Sequence, residues 1–219
     1  MRTGGFLVAA LLAVQAAAGA TITYTGALAT PEDLFQTTVI LPSPGVLSFQ
    51  TFGFGGDPNA APAAIPGGGF DPFVGLFSGS GDSAVYVDGS SDDLTNYGSN
   101  QGCGPAATVP IGVETVCGDV AMSFSLAAGM YTVVLTDAAN FLNAAVGAGT
   151  TLGDGFTDFS SGVFQTCTDL GDCISPTNHF TLDITIPSDA QVVPEPGSLW
   201  VFAAGLVVLA AAARRRSRF

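Results

Sequence analysis

Apolar and polar residues alternate along much of the central part of the chain. From residue 180 to 186 every second residue is large and apolar, and Thr or Asp stands between them. The same alternation occurs at 120–126 and 131–135. A period of two residues is typical of a strand with one buried face. Similar patterns predict further strands at 21–28, 34–41, 47–51, 70–77 and 83–87.

The region between residues 21 and 190 is long enough for one domain with a buried core. Gly and Pro recur throughout it, which favours short strands joined by turns. The glycine-rich segment 53–69 has no lysine and no following helix, so we expect a long exposed loop and not a phosphate-binding loop. Residues 138–148 contain glycines and asparagines, which favour a loop with at most one helical turn. The predicted fold class is all-β, as an antiparallel β-sandwich.

Charge is segregated along the chain. The five cationic residues lie near the two ends, and all 18 acidic residues lie between positions 32 and 195. This distribution indicates two targeting segments on either side of one acidic domain. A domain without Lys or Arg is not expected to bind nucleic acid, because it cannot neutralise phosphates.

Residues 1–20 have the three parts of a signal peptide. Arg2 supplies the positive charge, residues 6–13 form a short apolar segment, and Ala18, Gly19 and Ala20 form a small-residue site for signal peptidase. The alternative is a buried N-terminal helix. We expect export, with Thr21 as the first residue of the mature chain.

The C-terminal segment 191–219 also has three parts. Pro194, Glu195 and Pro196 come first, and an apolar run follows at 199–213. A helix over this run is about 22 Å long, so flanking residues and snorkelling arginines must help it cross a ~30 Å hydrocarbon core. We expect a single transmembrane helix whose basic end lies in the cytoplasm and leaves the acidic domain outside. The basic cluster consists of Arg214, Arg215, Arg216 and Arg218.

This motif, helix and basic cluster, in this order, resemble the PEP-CTERM family of sorting signals. The resemblance implies that an exosortase, a membrane-embedded cysteine transpeptidase, recognises the tail and processes it near the motif. It also implies a Gram-negative bacterium, typically one that makes exopolysaccharide, with the chain held in the inner membrane until processing. A plain single-pass anchor is the alternative. The resemblance carries no information on the activity of the central domain.

A second resemblance concerns the central domain. The sequence FDP at 70–72, VGLF at 74–77, the pair Asp92 and Asp93, and LAAGMYT at 126–132 follow the order of the bacterial pre-peptidase C-terminal domain. This resemblance implies a jelly-roll-like β-sandwich and a non-catalytic module, and some members bind calcium or matrix polymers. The cysteine-bearing segment 96–118 is an insertion relative to that pattern.

Four cysteines in an exported domain are expected to form disulfides. Three pairings can be drawn, and the sequential one, Cys103 with Cys117 and Cys167 with Cys173, closes two short loops. A zinc site is the alternative, but it requires closer cysteine spacing and usually histidine ligands.

Oxygen-bearing side chains cluster between two of the expected strands. They are Asp88, Asp92, Asp93 and Asn96, with no Lys or Arg in the domain to neutralise them. Such ligands suit Ca²⁺, although their spacing is not that of an EF-hand. By analogy with the resembled modules, Asp71 and Asp119 are expected near the same end of the sandwich. The alternative to a calcium site is a set of solvated surface loops.

We do not expect catalysis. Triad hydrolases need an imidazole beside the nucleophile, and His179 stands at the start of an alternating strand, where a rim position is expected. Glycosidases need two positioned carboxylates, and no pattern singles out a pair. The sequence therefore predicts a non-enzymatic cell-surface or extracellular-matrix protein. One alternative is a polysaccharide-binding module that uses Phe52, Phe54 and Tyr97 on loops, and the other is a secreted hydrolase.

Overall fold

The computed structural model describes residues 19–58, 64–91 and 108–193. Within these ranges the regular structure is almost entirely β-strand, with one 3-10 turn at Leu152–Asp154. In the same ranges no helix is long and apolar enough to cross a membrane. Most of the expected signal peptide, at 1–18, and the sorting tail from 194 to 219 lie outside the described residues.

The long strands form two antiparallel sheets that pack face to face. The four-stranded sheet, called the first sheet, has the order β1 (Ala20–Ala27), β16 (His179–Ile186), β3 (Gly45–Thr51) and β10 (Ala121–Leu126). The five-stranded second sheet has the order β17 (Gln191–Val193), β2 (Leu34–Leu41), β11 (Gly129–Asp137), β6 (Pro72–Ser78) and β7 (Val85–Ser90).

Shorter strand pairs connect these sheets. In the described part of the chain they are β4 (Asp57–Pro58) with β5 (Ala64–Ile65), β8 (Thr108–Ile111) with β9 (Glu114–Cys117), β12 (Asn140–Leu142) with β13 (Phe156–Asp158), and β14 (Thr166–Cys167) with β15 (Cys173–Ile174). All pairings are antiparallel. The prediction of a β-rich antiparallel fold is confirmed.

The main core lies between the two sheets, and the period-two pattern correctly identified its residues. Leu182 and Ile184 of β16 and Phe49 of β3 are almost completely buried against Val133 and Leu135 of β11. Each buried side chain of this size contributes about 1.5–3 kcal/mol by leaving water. The polar residues between them therefore point away from the core.

A second apolar cluster covers part of the outer face of the second sheet. Residues 138–148, expected to be a loop with at most a helical turn, contain the short strand β12, which pairs with β13 further along the chain, and are otherwise turns. Leu142 of this segment and Leu152 of the 3-10 turn pack on Phe73, Phe77 and Val134. Strand β12 was not predicted because Leu142 is stabilised by partners from distant strands, which local propensity does not report.

The glycine-rich segment 53–69 is also more ordered than expected. Phe54 is completely buried, and a Cβ on Gly118 would lie 2.3 Å from its ring, so only glycine fits there. The backbone N–H of Gly69 donates to the carbonyl of Gly53 at 2.8 Å, which closes the base of the segment. The expectation of an exposed loop was therefore wrong for residues 53–56, which are largely buried because glycines permit close backbone packing, whereas residues 66–68 are exposed as expected.

The folded region continues beyond the expected boundary at residue 190. Strand β17 pairs with β2, with Val192 opposite Val39 and Val193 opposite Thr38. Val192 also packs against the main core. The last described strand thus ends directly before Pro194 in the sequence.

Candidate functional site

The outer face of the first sheet is mostly polar. The inward side chains of its strands fill the main core, so the alternate positions face outward. Val46 and Ala121 are apolar residues of this face, and its polar residues include Thr21, Thr23 and Thr25 on β1, Asp183 and Thr185 on β16, Ser48 and Gln50 on β3, and Ser123 on β10. The face therefore presents hydroxyl, amide and carboxylate groups.

Asp183 stands at the centre of this face. In the strand register it lies between Thr23 of β1 and Gln50 of β3. The Thr23 hydroxyl donates to Asp183 Oδ1 at 2.6 Å. Only 6% of the Asp183 residue is exposed, although it lies on an outer face. A nearly buried carboxylate is thus held by a hydroxyl from the edge strand.

A second row of hydroxyl groups crosses the sheet beside the first. Thr21 lies opposite Thr185, which lies opposite Ser48, and Ser48 lies opposite Ser123. The Thr21 and Thr185 hydroxyls are 2.8 Å apart, and those of Ser48 and Ser123 are 2.9 Å apart. Because a hydroxyl both donates and accepts, each of these groups retains hydrogen-bonding capacity toward a ligand.

A cleft of about 190 Å³ opens at the junction of the two rows. Its walls are formed by Thr21, Ser48, Phe49, Gln50, Phe52, Asp183 and Thr185. The sequence contains no Lys or Arg between positions 3 and 213, so no basic side chain of the described domain neutralises Asp183. We call this site the Asp183 cleft. Sequence reasoning missed it, although the alternation at 180–186 already placed Asp183 on an outer face.

Asp119 has a structural role in the described loops. Its Oδ1 accepts hydrogen bonds from the Thr51 hydroxyl at 2.9 Å and from the Phe54 N–H at 3.2 Å. Its Oδ2 accepts one from the Gly55 N–H at 2.6 Å. Burial raises the pKa of Asp119, and these three hydrogen bonds act in the opposite direction. The carboxylate therefore connects the glycine-rich segment to the strands beneath it.

His179 also holds this segment. Its Nε2 donates to the carbonyl oxygen of Pro66 at 3.2 Å, since a carbonyl can only accept. Its Nδ1 is hydrogen-bonded to the Thr177 hydroxyl. The half-buried ring lies at the start of β16, at the rim position expected from the sequence.

The predicted calcium ligands are only partly described. Asp88 is exposed on β7, where its Oδ1 accepts from the Gly89 N–H at 2.9 Å. Asp92, Asp93 and Asn96 lie outside the described residues. Within the described ranges no three His, Cys, Asp or Glu side chains are arranged to hold a metal ion. The calcium site stays a prediction.

Three other carboxylates interact at the end of β11. Burial raises the pKa of Asp137 to about 6, and the nearby charges of Asp158 and Glu32 act in the same direction. A hydrogen bond from the Ala139 N–H, 2.8 Å long, partly opposes this effect. The sequence did not predict this group, because it joins residues from distant segments.

The disulfide prediction is confirmed for one pair. Cys167 and Cys173 are bonded across β14 and β15, with their Cα atoms 4.1 Å apart. Cys117, at the end of β9, is also disulfide-bonded. Cys103 lies outside the described residues, so its pairing with Cys117 stays a prediction.

Two of the three aromatic residues proposed for sugar contact are described, and both are buried. Phe54 is fully buried, which contradicts that role, whereas Phe52 is 8% exposed and contributes to the wall of the Asp183 cleft. Tyr97 lies outside the described residues. Instead Phe141 and Phe159 are exposed, and their rings form a T-shaped pair with centroids 5.6 Å apart. The exposure of Phe141 could have been inferred from the sequence, because Phe141 precedes the apolar Leu142 and two successive side chains in a strand point to opposite faces.

The sorting tail matches a known family. A family model described as the PEP-CTERM protein-sorting motif matches residues 192–216, which include Pro194, Glu195, Pro196 and the first three arginines of the basic cluster. The motif implies an exported protein that an exosortase sorts to the cell surface and processes. The match begins inside β17 and leaves the sandwich itself unassigned. No curated protein matches the chain.

Proposed function

We propose that the protein is a non-enzymatic component of the cell surface or extracellular matrix, with the β-sandwich as its external part. The observation that carries this proposal is the continuity of sandwich and tail. The sorting-motif match begins at residue 192, within a strand that pairs with β2 and packs on the core. Whatever compartment the tail selects, the sandwich is delivered there without an intervening linker.

The two ends of the chain determine this delivery. The signal peptide at 1–20 directs export and is removed before Thr21. The apolar segment 199–213 then holds the chain in the inner membrane, with the basic cluster in the cytoplasm. Exosortase processing near Pro194 releases the sandwich to the envelope or matrix, since the last described strand ends at Val193.

The topology supports the assignment of the sandwich to the jelly-roll type. Without the short edge strand β17, each sheet has four strands. When these strands are renumbered in chain order, the sheets read 1-8-3-6 and 2-7-4-5, so the chain repeatedly changes sheet. This order is that of a jelly roll with two Greek keys, as in many extracellular and lectin domains. It agrees with the resemblance to the pre-peptidase C-terminal domain, whose members serve as non-catalytic modules.

Binding of an extracellular polysaccharide is the second candidate function. The observation that favours it is the Asp183 cleft, which presents hydroxyl, amide and carboxylate groups on one face. A secreted hydrolase is less well supported, because Asp119 and His179 are engaged in holding the glycine-rich segment.

Localisation tests the first proposal. Cells expressing the epitope-tagged chain would be fractionated, and the size of the protein in each fraction compared. We expect wild type at the surface or in the matrix with a shortened tail. Glu195→Ala and a deletion of 214–218 should leave unprocessed chain in the inner membrane. Asp82→Ala, which changes an exposed carboxylate in the sandwich, should behave as wild type. A sandwich that stays inside the cell, or tail variants sorted like wild type, would contradict the proposal.

A further inference from the structure

We propose that the Asp183 cleft is a binding site for a neutral polysaccharide, a chain of sugars that bear hydroxyl groups and no charges. The proposal deepens the one above and rests on it for the presence of the domain outside the cell. It names a site and a ligand class on a face that the sorting-motif match does not reach.

The hydrogen-bonding groups of the cleft fit sugar hydroxyls. A carboxylate accepts several hydrogen bonds, so the Asp183 carboxylate can accept one from a sugar hydroxyl in addition to those from its protein partners, among them Thr23. Hydrogen bonds to a charged acceptor are stronger than those between neutral groups, particularly where burial excludes water. Gln50 offers both a donor and an acceptor on one side of Asp183, and Thr21, Thr185 and Ser48 offer hydroxyls on the other. A ligand whose groups both donate and accept satisfies this mixed set.

The charge of the domain selects a neutral polymer. With 18 acidic residues in the chain and no Lys or Arg between positions 3 and 213, an anionic polysaccharide would be repelled. A calcium ion would need six to eight oxygen ligands, roughly, and prefers several carboxylates. Asp183 is the only carboxylate among the residues that line the cleft. A neutral polysaccharide avoids the repulsion that an anionic one would meet, and its hydroxyls match the groups of the cleft.

The direction of the two rows fits a polymer. They cross the sheet perpendicular to the strands, from β1 through β16 to β3, and the second row continues to Ser123 on β10. Neighbouring strands are about 4.8 Å apart, so the second row spans about 14 Å across the four strands. Similar polar groups therefore repeat along a line, as repeating sugar units would require. The outer face of the second sheet offers less of this arrangement, because the apolar cluster around Phe73 and Leu142 covers part of it and the hydroxyl pair of Thr38 and Thr132 is 3.5 Å apart.

Binding by the full exported chain, purified from the envelope fraction in detergent, tests the proposal. The probes are soluble neutral glucans and mannans, compared with alginate as an anionic polymer, and affinity is measured by calorimetry or affinity electrophoresis. We expect a neutral polymer to bind, alginate not to bind, and a chelator to have no effect. Asp183→Asn and Gln50→Ala should each weaken binding roughly tenfold or more.

Two control variants locate the site. Gln36→Ala removes a half-buried glutamine from the outer face of the second sheet, and Phe159→Ala removes the most exposed of the paired phenylalanines. Both should bind as wild type. Thermal unfolding of every variant shows whether the fold is retained, and Gln50→Ala still tests the cleft if Asp183→Asn does not fold.

Several outcomes would overturn the proposal. They are the absence of binding to any neutral polymer, preferential binding of alginate, and loss of binding in the presence of a chelator. The proposal is also wrong if Phe159→Ala abolishes binding while Gln50→Ala binds as wild type. A correctly sorted protein that gives one of these results would refute the cleft and leave the surface-protein proposal standing. A missorted protein that binds neutral glucan would support the cleft and refute the surface-protein proposal.

Discussion

Asp119→Ala should be among the most destabilising substitutions of the residues that hold the glycine-rich segment in place. The carboxylate is 4% exposed and accepts hydrogen bonds from Thr51, Phe54 and Gly55. Alanine would leave the two backbone N–H groups without their acceptor. The Thr51 hydroxyl would still accept from the Val120 N–H at 2.7 Å, so strand β3 itself should remain in place.

The magnitude follows from the two lost backbone bonds. A buried donor left unsatisfied costs about 1–3 kcal/mol, which gives about 2–6 kcal/mol for the pair. Burial raises the pKa of Asp119, so holding its carboxylate in the charged form costs free energy in the folded protein. Alanine removes this cost, which offsets part of the loss. We therefore expect a loss of about 3 kcal/mol for alanine. Asparagine keeps one acceptor oxygen and should lose less, about 1–2 kcal/mol.

Urea unfolding followed by circular dichroism, at fixed pH and ionic strength, measures these differences. Limited proteolysis should in addition detect faster cleavage within 52–69 in the alanine variant. The control is Asp82→Ala, an exposed position where a change within about 0.5 kcal/mol is expected. If Asp119→Ala were as stable as this control, the carboxylate would not hold the segment. Equal losses for alanine and asparagine would indicate packing and not hydrogen bonding as the cause.

Three further predictions concern other parts of the sandwich. Because burial raises the pKa of Asp137 to about 6, its contribution to stability is full below about pH 4 and is lost as the pH rises to about 6. In melting curves at pH 4–7, the wild type should lose up to about 3 kcal/mol of stability as the pH rises, and Asp137→Asn should not. An Asp137→Asn variant with the pH profile of the wild type would contradict this prediction. Replacing Cys167 and Cys173 by serine should lower the free energy of unfolding by about 2 kcal/mol in urea, and no loss would show that the bridge is dispensable. If the calcium site exists, Ca²⁺ should raise the melting temperature more than Mg²⁺ at equal ionic strength, and this difference should vanish when Asp92 and Asp93 are changed to asparagine.

Several features could be predicted from the sequence because they depend on neighbours in the chain. Alternation along 180–186 correctly identified a strand with Leu182 and Ile184 inside, since successive side chains in a strand point to opposite faces. The bond between Cys167 and Cys173 was predicted because a short loop brings the two close together. The sorting motif could be recognised because a targeting segment is read as a linear sequence.

The tertiary structure alone decided where these strands meet. Thr21 pairs with Thr185, and Asp183 joins Thr23 and Gln50 in one row, although strands β1, β3 and β16 come from different parts of the chain. Such a register depends on which apolar faces pack together after the chain has closed long loops, and no local pattern encodes it. For the same reason the burial of Phe54 could not be foreseen, because it requires Gly118 and the Asp119 carboxylate to meet a distant segment. The Asp183 cleft therefore follows from the fold, even though every residue in it is visible in the sequence.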